Sequence, residues 1–240
     1  MQLFFAHRIQ DNKAWLDAEE TRHCVKTLRK QVGDTIHLVD GEGGFYEAQI
    51  VDFDKKSCEL LLKQQLADEQ KRDYKIHIAI APTKNINRLE WFLEKATELG
   101  VDTITPILCQ RSERKNIRLD RLQKIILSAA KQSLKSQFPT IRELTKFKNF
   151  VEQTTAATKV IAHCNTSPLP PLQHLAAISQ DIIILIGPEG DFSMQEVDLA
   201  TANGYQEVGL GKSRLRTETA GIAACHTIHL VQAQGSKKEL

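Results

Sequence analysis

Two short segments bring together residue types that chemistry needs at close spacing. The first is Ile186-Gly187-Pro188-Glu189-Gly190. Two glycines around Pro-Glu give a tight, rigid turn whose backbone groups can closely approach a ligand. An ordinary strand-to-helix turn reads the same way. The second is Leu210-Gly211-Lys212-Ser213-Arg214-Leu215-Arg216-Thr217-Glu218-Thr219-Ala220. It sets two arginines beside a hydroxyl-rich helix start, which suits an anion or a nucleobase. A P-loop reading of Gly211-Lys212-Ser213 fails, because the required earlier glycine is Gln206. A dinucleotide fingerprint from Gly209 fails too, since its third glycine would be Arg214.

Two other groupings carry less. Cys225-His226-x-x-His229 has ligand spacing on a helix, but no second pair completes a site, so no metal is expected. His163-Cys164 would be adjacent on a strand and point to opposite faces, which rules out a nucleophile–base pair.

The elements that must position the two segments alternate from Tyr74 onward. Apolar runs predict strands at Ile76–Ala81, Thr103–Leu108, Lys159–Cys164, Asp181–Ile186 and Glu207–Leu210. The run Asp181–Ile186 has the continuous apolar character of a strand buried on both faces. Helical spacing predicts helices over Asn87–Leu99, stopped by Gly100, and over Leu119–Ser133. A Ser193-x-x-Glu196 capping box opens a helix to Asn203, closed by Gly204, and Thr217–Val231 forms the last helix. The pattern is an α/β domain with a mostly parallel sheet. Ligands bind such sheets at the carboxyl ends of the strands, where both segments fall.

The N-terminal part has another rhythm. Short runs at Leu3–Phe5, Thr35–Val39, Phe45–Val51 and Cys58–Leu62, with a glycine-rich turn at Asp40–Gly44, predict a small β-barrel or meander. One helix is predicted at His23–Lys30 and a linker in the polar stretch Gln64–Asp73. Two domains follow, residues 1–70 and 74–240.

Residues 1–70 carry nine Lys/Arg against thirteen Asp/Glu, whereas residues 107–150 carry eleven against three. Such a basic cluster fits a polyanion, though a solvated helix face has the same composition. No apolar run approaches the roughly 20 residues of a membrane span. The N-terminus lacks the pattern of a signal peptide. The five cysteines are scattered, without a CxxC pair, as free thiols in a reducing compartment would be. These features point to a cytoplasmic protein without membrane attachment.

Together the motifs resemble one family over the whole chain. Ile186–Gly190, Leu210-Gly211 with Leu215–Ala220, and Arg88 followed by Glu94–Val101 look like the signature of the RsmE family. So do His23, Leu28-Arg29, Gly33-Asp34 and Asp40-Gly41. These are SPOUT-class methyltransferases acting on N3 of a uridine in small-subunit (16S) ribosomal RNA. Two departures stand out. The family usually continues its GPEG turn with glycine, where this chain has Asp191. It often shows Gln-Cys-Gly-Arg around residues 132–135, where this chain reads Gln132-Ser133-Leu134-Lys135.

The resemblance implies a PUA-like β-barrel joined to an α/β domain with a trefoil knot, a topology that periodicity alone would never suggest. It implies S-adenosylmethionine (SAM) held mainly by backbone groups, with no metal. The contacting residues would be His163, Cys164, Asn165, Ile186, Gly187, Pro188, Glu189, Gly190, Leu210, Gly211, Ser213, Leu215, Thr217, Thr219 and Ala220. It also implies a homodimer, for which Ile222, Ala223, Ile228 and Val231 of the last helix offer an interface or simply a core face. The partner would be 16S rRNA, within the small ribosomal subunit. Arg22, His23, Lys26, Arg29, Arg88, Arg111, Arg114, Lys131 and Lys135 are the expected RNA contacts.

A sulfonium methyl is already activated, so the protein's task is alignment and exclusion of water. Uracil N3–H must lose its proton, which calls for a carboxylate or for a cation that stabilises charge on the uracil oxygens. Arg216 and Arg214 fit the cation role; Glu218 and Glu189 fit the base role unless they merely cap a turn. Methylation at another rRNA or tRNA position, a non-enzymatic RNA-binding assembly factor and a nucleotide hydrolase are the competing readings.

Overall fold

The computed structural model describes residues 2–67, 72–155, 158–166, 168–176 and 181–235. They fall into two units, residues 1–71 with 127–138, and residues 72–126 with 139–240.

The first unit is built on β1 (Leu3–Phe5), β2 (Arg8–Gln10), β3 (Lys13–Leu16), β4 (Thr35–Val39), β5 (Phe45–Phe53) and β6 (Cys58–Gln65), in the order β1-β4-β5-β6-β3-β2. Only β1–β4 is parallel. The β4–β5 hairpin closes as expected, with Val39 opposite Phe45. Asp40 Oδ1 accepts the Glu42 and Gly44 N–H groups at 2.8 Å each. A Cβ on Gly44 would lie 2.1 Å from Asp40 Oδ2, so a side chain there would displace the carboxylate that holds the turn. Phe4, Leu16, Leu38, Ile50 and Leu60 fill the core, with Cys24 and Cys58 buried among them.

Three expectations for this unit need correction. The helix begins earlier: Asp17 caps α1 (Ala18–Arg22) by accepting the Glu20 N–H, and the chain continues in a π-turn over His23–Thr27. It stops short of Lys30 because Arg29 adopts φ +56°. β6 runs into the polar stretch assigned to the linker, since Gln64 and Gln65 pair with Glu47 and Tyr46 of a nine-residue β5 while their side chains face solvent. β2 and β3 were not anticipated; they are short, mixed in polarity and joined at Asp11 with φ +54°. The rest of the expected linker, 68–71, lies outside the described residues.

The second unit holds β7 (Ile76–Ile80), β8 (Thr103–Leu108), β9 (Thr140–Ile141), β10 (Thr145–Lys146), β11 (Thr158–Ala162), β12 (Ile182–Ile186) and β13 (Gln206–Val208). The sheet order is β10-β8-β7-β12-β11-β13, with β9 also on β8, and every pairing is parallel. All five β12 side chains are buried. Ile182, Ile184 and Ile186 join the core under α2 (Ile86–Leu99) and α7 (Thr217–Gly235). Ile183 and Leu185 join the opposite core, under α4 (Phe147–Gln153) and α6 (Met194–Ala202). This alternation across two covered faces is why the run reads as uniformly apolar.

Caps end the helices where the sequence indicates. Gly100 closes α2 at φ +91°, and Ser193 and Glu196 form the capping box of α6. α3 (Leu119–Gln132) matches its predicted range to one residue. The elements β9, β10, α4 and the short α5 (Leu172–Ala176) were not anticipated. Gly221 lets α7 approach the sheet, since a Cβ there would sit 2.5 Å from the Phe92 ring and 3.2 Å from Ile80.

The order of β12 and β13 sets the site. β13 lies outside β11, whereas α7 packs on α2, α5, β7 and β12. The segment 209–216 therefore crosses back over the carboxyl ends of β11 and β12.

Candidate active site

Three loops meet at the carboxyl edge of this sheet and are fastened to one another. Thr217 Oγ1 donates to the Gly187 carbonyl at 3.0 Å, joining the start of α7 to the turn after β12. Asp191 Oδ2 accepts the Cys164 N–H at 2.9 Å, and Asn165 Nδ2 donates to the Phe192 carbonyl at 2.9 Å. These join the turn after β12 to the loop after β11. Gly209 N–H donates to Pro170 O at 2.9 Å, and its carbonyl accepts the Leu172 N–H at 3.2 Å, which ties in the segment after β13.

Asp191 explains one departure from the family pattern. Its backbone has φ +62°, a left-handed conformation that glycine adopts at little cost. Aspartate is tolerated because its side chain works locally, accepting the Phe192 N–H at 2.8 Å as well as that of Cys164. Leu134, at the second family glycine, also has a positive φ, +56°.

His163 is buried, and its ring defines the loop after β11. Nδ1 accepts the Asn165 N–H at 3.2 Å, so in the neutral ring Nε2 carries the proton and donates to Glu207 Oε2 at 2.8 Å. Cys164, Asn165 and Thr166 are exposed beside it. Thr217 is buried, Pro188 is buried, and Gly187, Leu210, Leu215 and Ala220 are half-buried. Glu189, Gly190, Gly211, Ser213 and Thr219 are exposed. Every expected cofactor loop thus lies at one edge, with main-chain groups and small side chains prominent.

The two candidate bases are held differently. Glu189 Oε1 accepts the Lys84 N–H at 2.9 Å, so this carboxylate clamps the loop after β7. Glu218, in the first turn of α7, is 7% exposed. Arg88 Nε stands 3.7 Å from its Oε1, and its buried Oε2 has no hydrogen-bond partner among the described residues. A buried carboxylate oxygen without a donor is costly unless a ligand supplies one. Arg214 and Arg216 are exposed.

The expected RNA contacts separate into two groups. Arg22, Lys26 and Arg29 are exposed and make no ion pair among the described residues, while His23 packs on Phe4 at 5.8 Å between ring centroids. The others have internal contacts. Lys131 pairs with buried Glu20, and Arg88 with Glu218. Arg111 Nη1 donates to Gly190 O at 2.7 Å, and Arg114 donates to the carbonyls of Thr83 and Lys84. Lys135 is half-buried. Asp191, Glu207, Thr83 and Lys84 are structural parts of the site that the sequence did not single out; Asp191 was visible only as a missing glycine.

The Cys225, His226 and His229 side chains do not converge. Cys225 is buried in the core, His226 is exposed, and His229 Nδ1 meets the Tyr74 hydroxyl at 2.7 Å.

A parallel sheet with a recrossing chain at its ligand edge, in a chain that also carries a mostly antiparallel β-unit, is the architecture of a SPOUT-class methyltransferase with a PUA-like domain. The model of the RNA methyltransferase domain matches residues 70–229, and that of the RNA methyltransferase PUA domain matches residues 16–63. The chain belongs to this RNA methyltransferase family, as the RsmE resemblance implied. A crystal structure of a probable rRNA-methyltransferase from Porphyromonas gingivalis is 42% identical, with TM-score 0.90, covering 98% of this chain and 99% of that one. Ribosomal RNA small subunit methyltransferase E from Neisseria gonorrhoeae, solved bound to S-adenosyl methionine, is 28% identical with TM-score 0.84, each chain covered to 98%. The protein of that same name from Mesomycoplasma hyopneumoniae is 31% identical over 231 residues, covering 92% of this chain and 96% of that one. No described helix is long and apolar enough to cross a membrane.

Proposed function

We propose that the protein is a SAM-dependent methyltransferase of small-subunit ribosomal RNA, modifying N3 of a uridine and working as a homodimer in the cytoplasm. The observation that carries this reading is the convergence of the Gly187, Asn165 and Thr217 loops, held by the Thr217–Gly187 and Asp191–Cys164 hydrogen bonds.

The residues present fit SAM. A Cβ on Gly187 would lie 3.2 Å from the Phe192 backbone nitrogen, so this turn is shaped by main-chain approach. The loops 163–166, 186–190 and 210–220 would hold the cofactor, chiefly through backbone groups, with Leu210, Leu215 and Ala220 as apolar walls. When bound, SAM supplies a methyl group activated by its positive sulfur. The protein must then orient the uracil, exclude water and remove one proton. Glu218 is the residue we assign to the N3 proton, because its Oε2 is buried and lacks a donor among the described residues. Arg88 keeps that carboxylate oriented. Arg216, with Arg214 beside it, stabilises the charge that develops on the uracil oxygens.

The basic surface at Arg22, Lys26 and Arg29 contributes backbone contacts to RNA. The homodimer is supported by α2 and α7, which pack on each other and expose Trp91 (44%) and Leu230 (50%). Ile228 is fully buried within the subunit and belongs to the core, leaving half-buried Ile222, Ala223 and Val231 for the interface.

The test is methyl transfer from labelled SAM to small-subunit rRNA, naked or assembled, with the product nucleotide mapped by primer extension and mass spectrometry. A single 3-methyluridine supports the reading. Transfer to tRNA alone, or none to any RNA, contradicts it. Sedimentation of a monomer at micromolar concentration would remove the dimer.

A further inference from the structure

The carboxyl edge of the sheet carries a concavity at the loops after β7 and β8. A cleft of about 380 Å³ is lined by Lys84, from the loop after β7, and by Glu113, Arg114, Lys115 and Asn116, from the loop after β8. We propose that this cleft is a subsite for one nucleotide of the RNA strand flanking the target uridine. Arg114 and Lys115 hold its phosphodiester, and Asn116 reads its base edge or ribose. The assignment rests on the reading of the protein as an rRNA methyltransferase.

Arg114 is a cation already fixed in place. Nε donates to Thr83 O at 3.0 Å and Nη2 to Lys84 O at 2.7 Å. A guanidinium has five N–H donors, so three remain without a partner among the described residues. A braced guanidinium loses little conformational freedom when an anion arrives. The charge balance favours an anion as well. Lys84, Arg114 and Lys115 outnumber the carboxylates at this edge, Glu113 at 2.8 Å from Lys84 Nζ and Glu189 on the Lys84 N–H, which leaves one positive charge in excess. Lys115 and Asn116 are exposed, and their side chains make no hydrogen bond or ion pair among the described residues.

Position and size narrow the ligand. The Lys84 N–H is bonded to Glu189 Oε1 at 2.9 Å, so the cleft wall is continuous with the turn assigned to the cofactor. An RNA strand whose target base enters that site would bring a neighbouring nucleotide to this edge. The volume is at the low end for ligand sites, which run from about 300 to 1,000 Å³, and suits one nucleotide. Asn116 supplies the paired donor and acceptor that a base edge requires.

The experiment compares Lys115→Ala, Asn116→Ala and the native full chain. Anisotropy with a labelled rRNA fragment, measured across salt concentrations, reads RNA affinity, and calorimetry reads SAM affinity. Lys115→Ala is expected to weaken RNA binding about fivefold or more and to lower the salt slope by about one. Asn116→Ala is expected to weaken it roughly three- to tenfold with the slope kept. SAM affinity should stay native in both. RNA affinity and slope unchanged in both variants, while the native protein methylates rRNA, overturns the subsite and leaves the activity standing. A native protein that neither binds SAM nor modifies rRNA overturns the activity and the subsite together.

Discussion

Thr217 Oγ1 donates to the Gly187 carbonyl at 3.0 Å, fastening the first residue of α7 to the first residue beyond β12. Thirty residues separate them in sequence, and the bond closes the recrossing segment over the sheet edge. Thr217 is only 5% exposed, so valine fits the same space. Thr217→Val is expected to weaken SAM binding about two- to tenfold, as one hydrogen bond of about 0.5–1.5 kcal/mol implies. Calorimetry with Thr217→Ser as the rescuing variant checks this.

Glu218→Gln keeps the shape of the side chain and removes its capacity to accept a proton. Single-turnover methyl transfer is expected to fall by roughly a hundredfold or more, with SAM affinity retained. Native turnover in this variant would show that Glu218 only holds Arg88.

Arg216 is exposed and makes no ion pair among the described residues, so its removal leaves the fold intact. Arg216→Ala is expected to lose methyl transfer while still binding SAM. Unchanged turnover would remove it from the mechanism.

Much of this architecture was legible because burial imposes period. The strands β7, β8 and β12 are apolar runs that two helical layers cover, and the Ser193–Glu196 box is a local signal with a local cause. α4 carries the same information in Phe147, Phe150 and Val151, all buried, but it is seven residues long and lies in a charged region. β3 owes its strand to a partner distant in sequence, since Trp15 lies opposite Glu59, and β2 in turn pairs with β3. The site divides in the same way. Two of its loops were visible as glycine-bearing turns after strands and the third, 163–166, only through the family resemblance, whereas their fastenings were not, because Lys84 and Glu189 meet across 105 residues. Charge counting also could not distinguish Lys26, which is exposed, from Lys131, which neutralises buried Glu20.

Asp191 provides a stability test of the left-handed turn. Asp191→Ala loses the bonds to the Cys164 and Phe192 N–H groups and keeps a side chain at φ +62°. Asp191→Gly loses the same bonds without that strain. The glycine variant is expected to be the more stable of the two by about 1 kcal/mol, read from denaturant midpoints.

His77 makes stability depend on pH. Burial, reinforced by Arg142, lowers its pKa from 6.5 to about 4, and its Nε2 meets Thr105 Oγ1 at 2.8 Å. The unfolded chain takes up this proton below pH 6.5 and the folded one only near pH 4, so protonation favours unfolding. Stability is expected to fall as pH drops from 6.5 to 4, by about 3 kcal/mol in all. His77→Gln should flatten this part of the profile.

Titration of the full chain with SAM by calorimetry tests the central claim most directly. The fastened loops predict saturable binding at one site per chain, weakened by Thr217→Val and restored by Thr217→Ser. No binding heat across several temperatures, or binding that ignores Thr217→Val and Asp191→Ala alike, would contradict it.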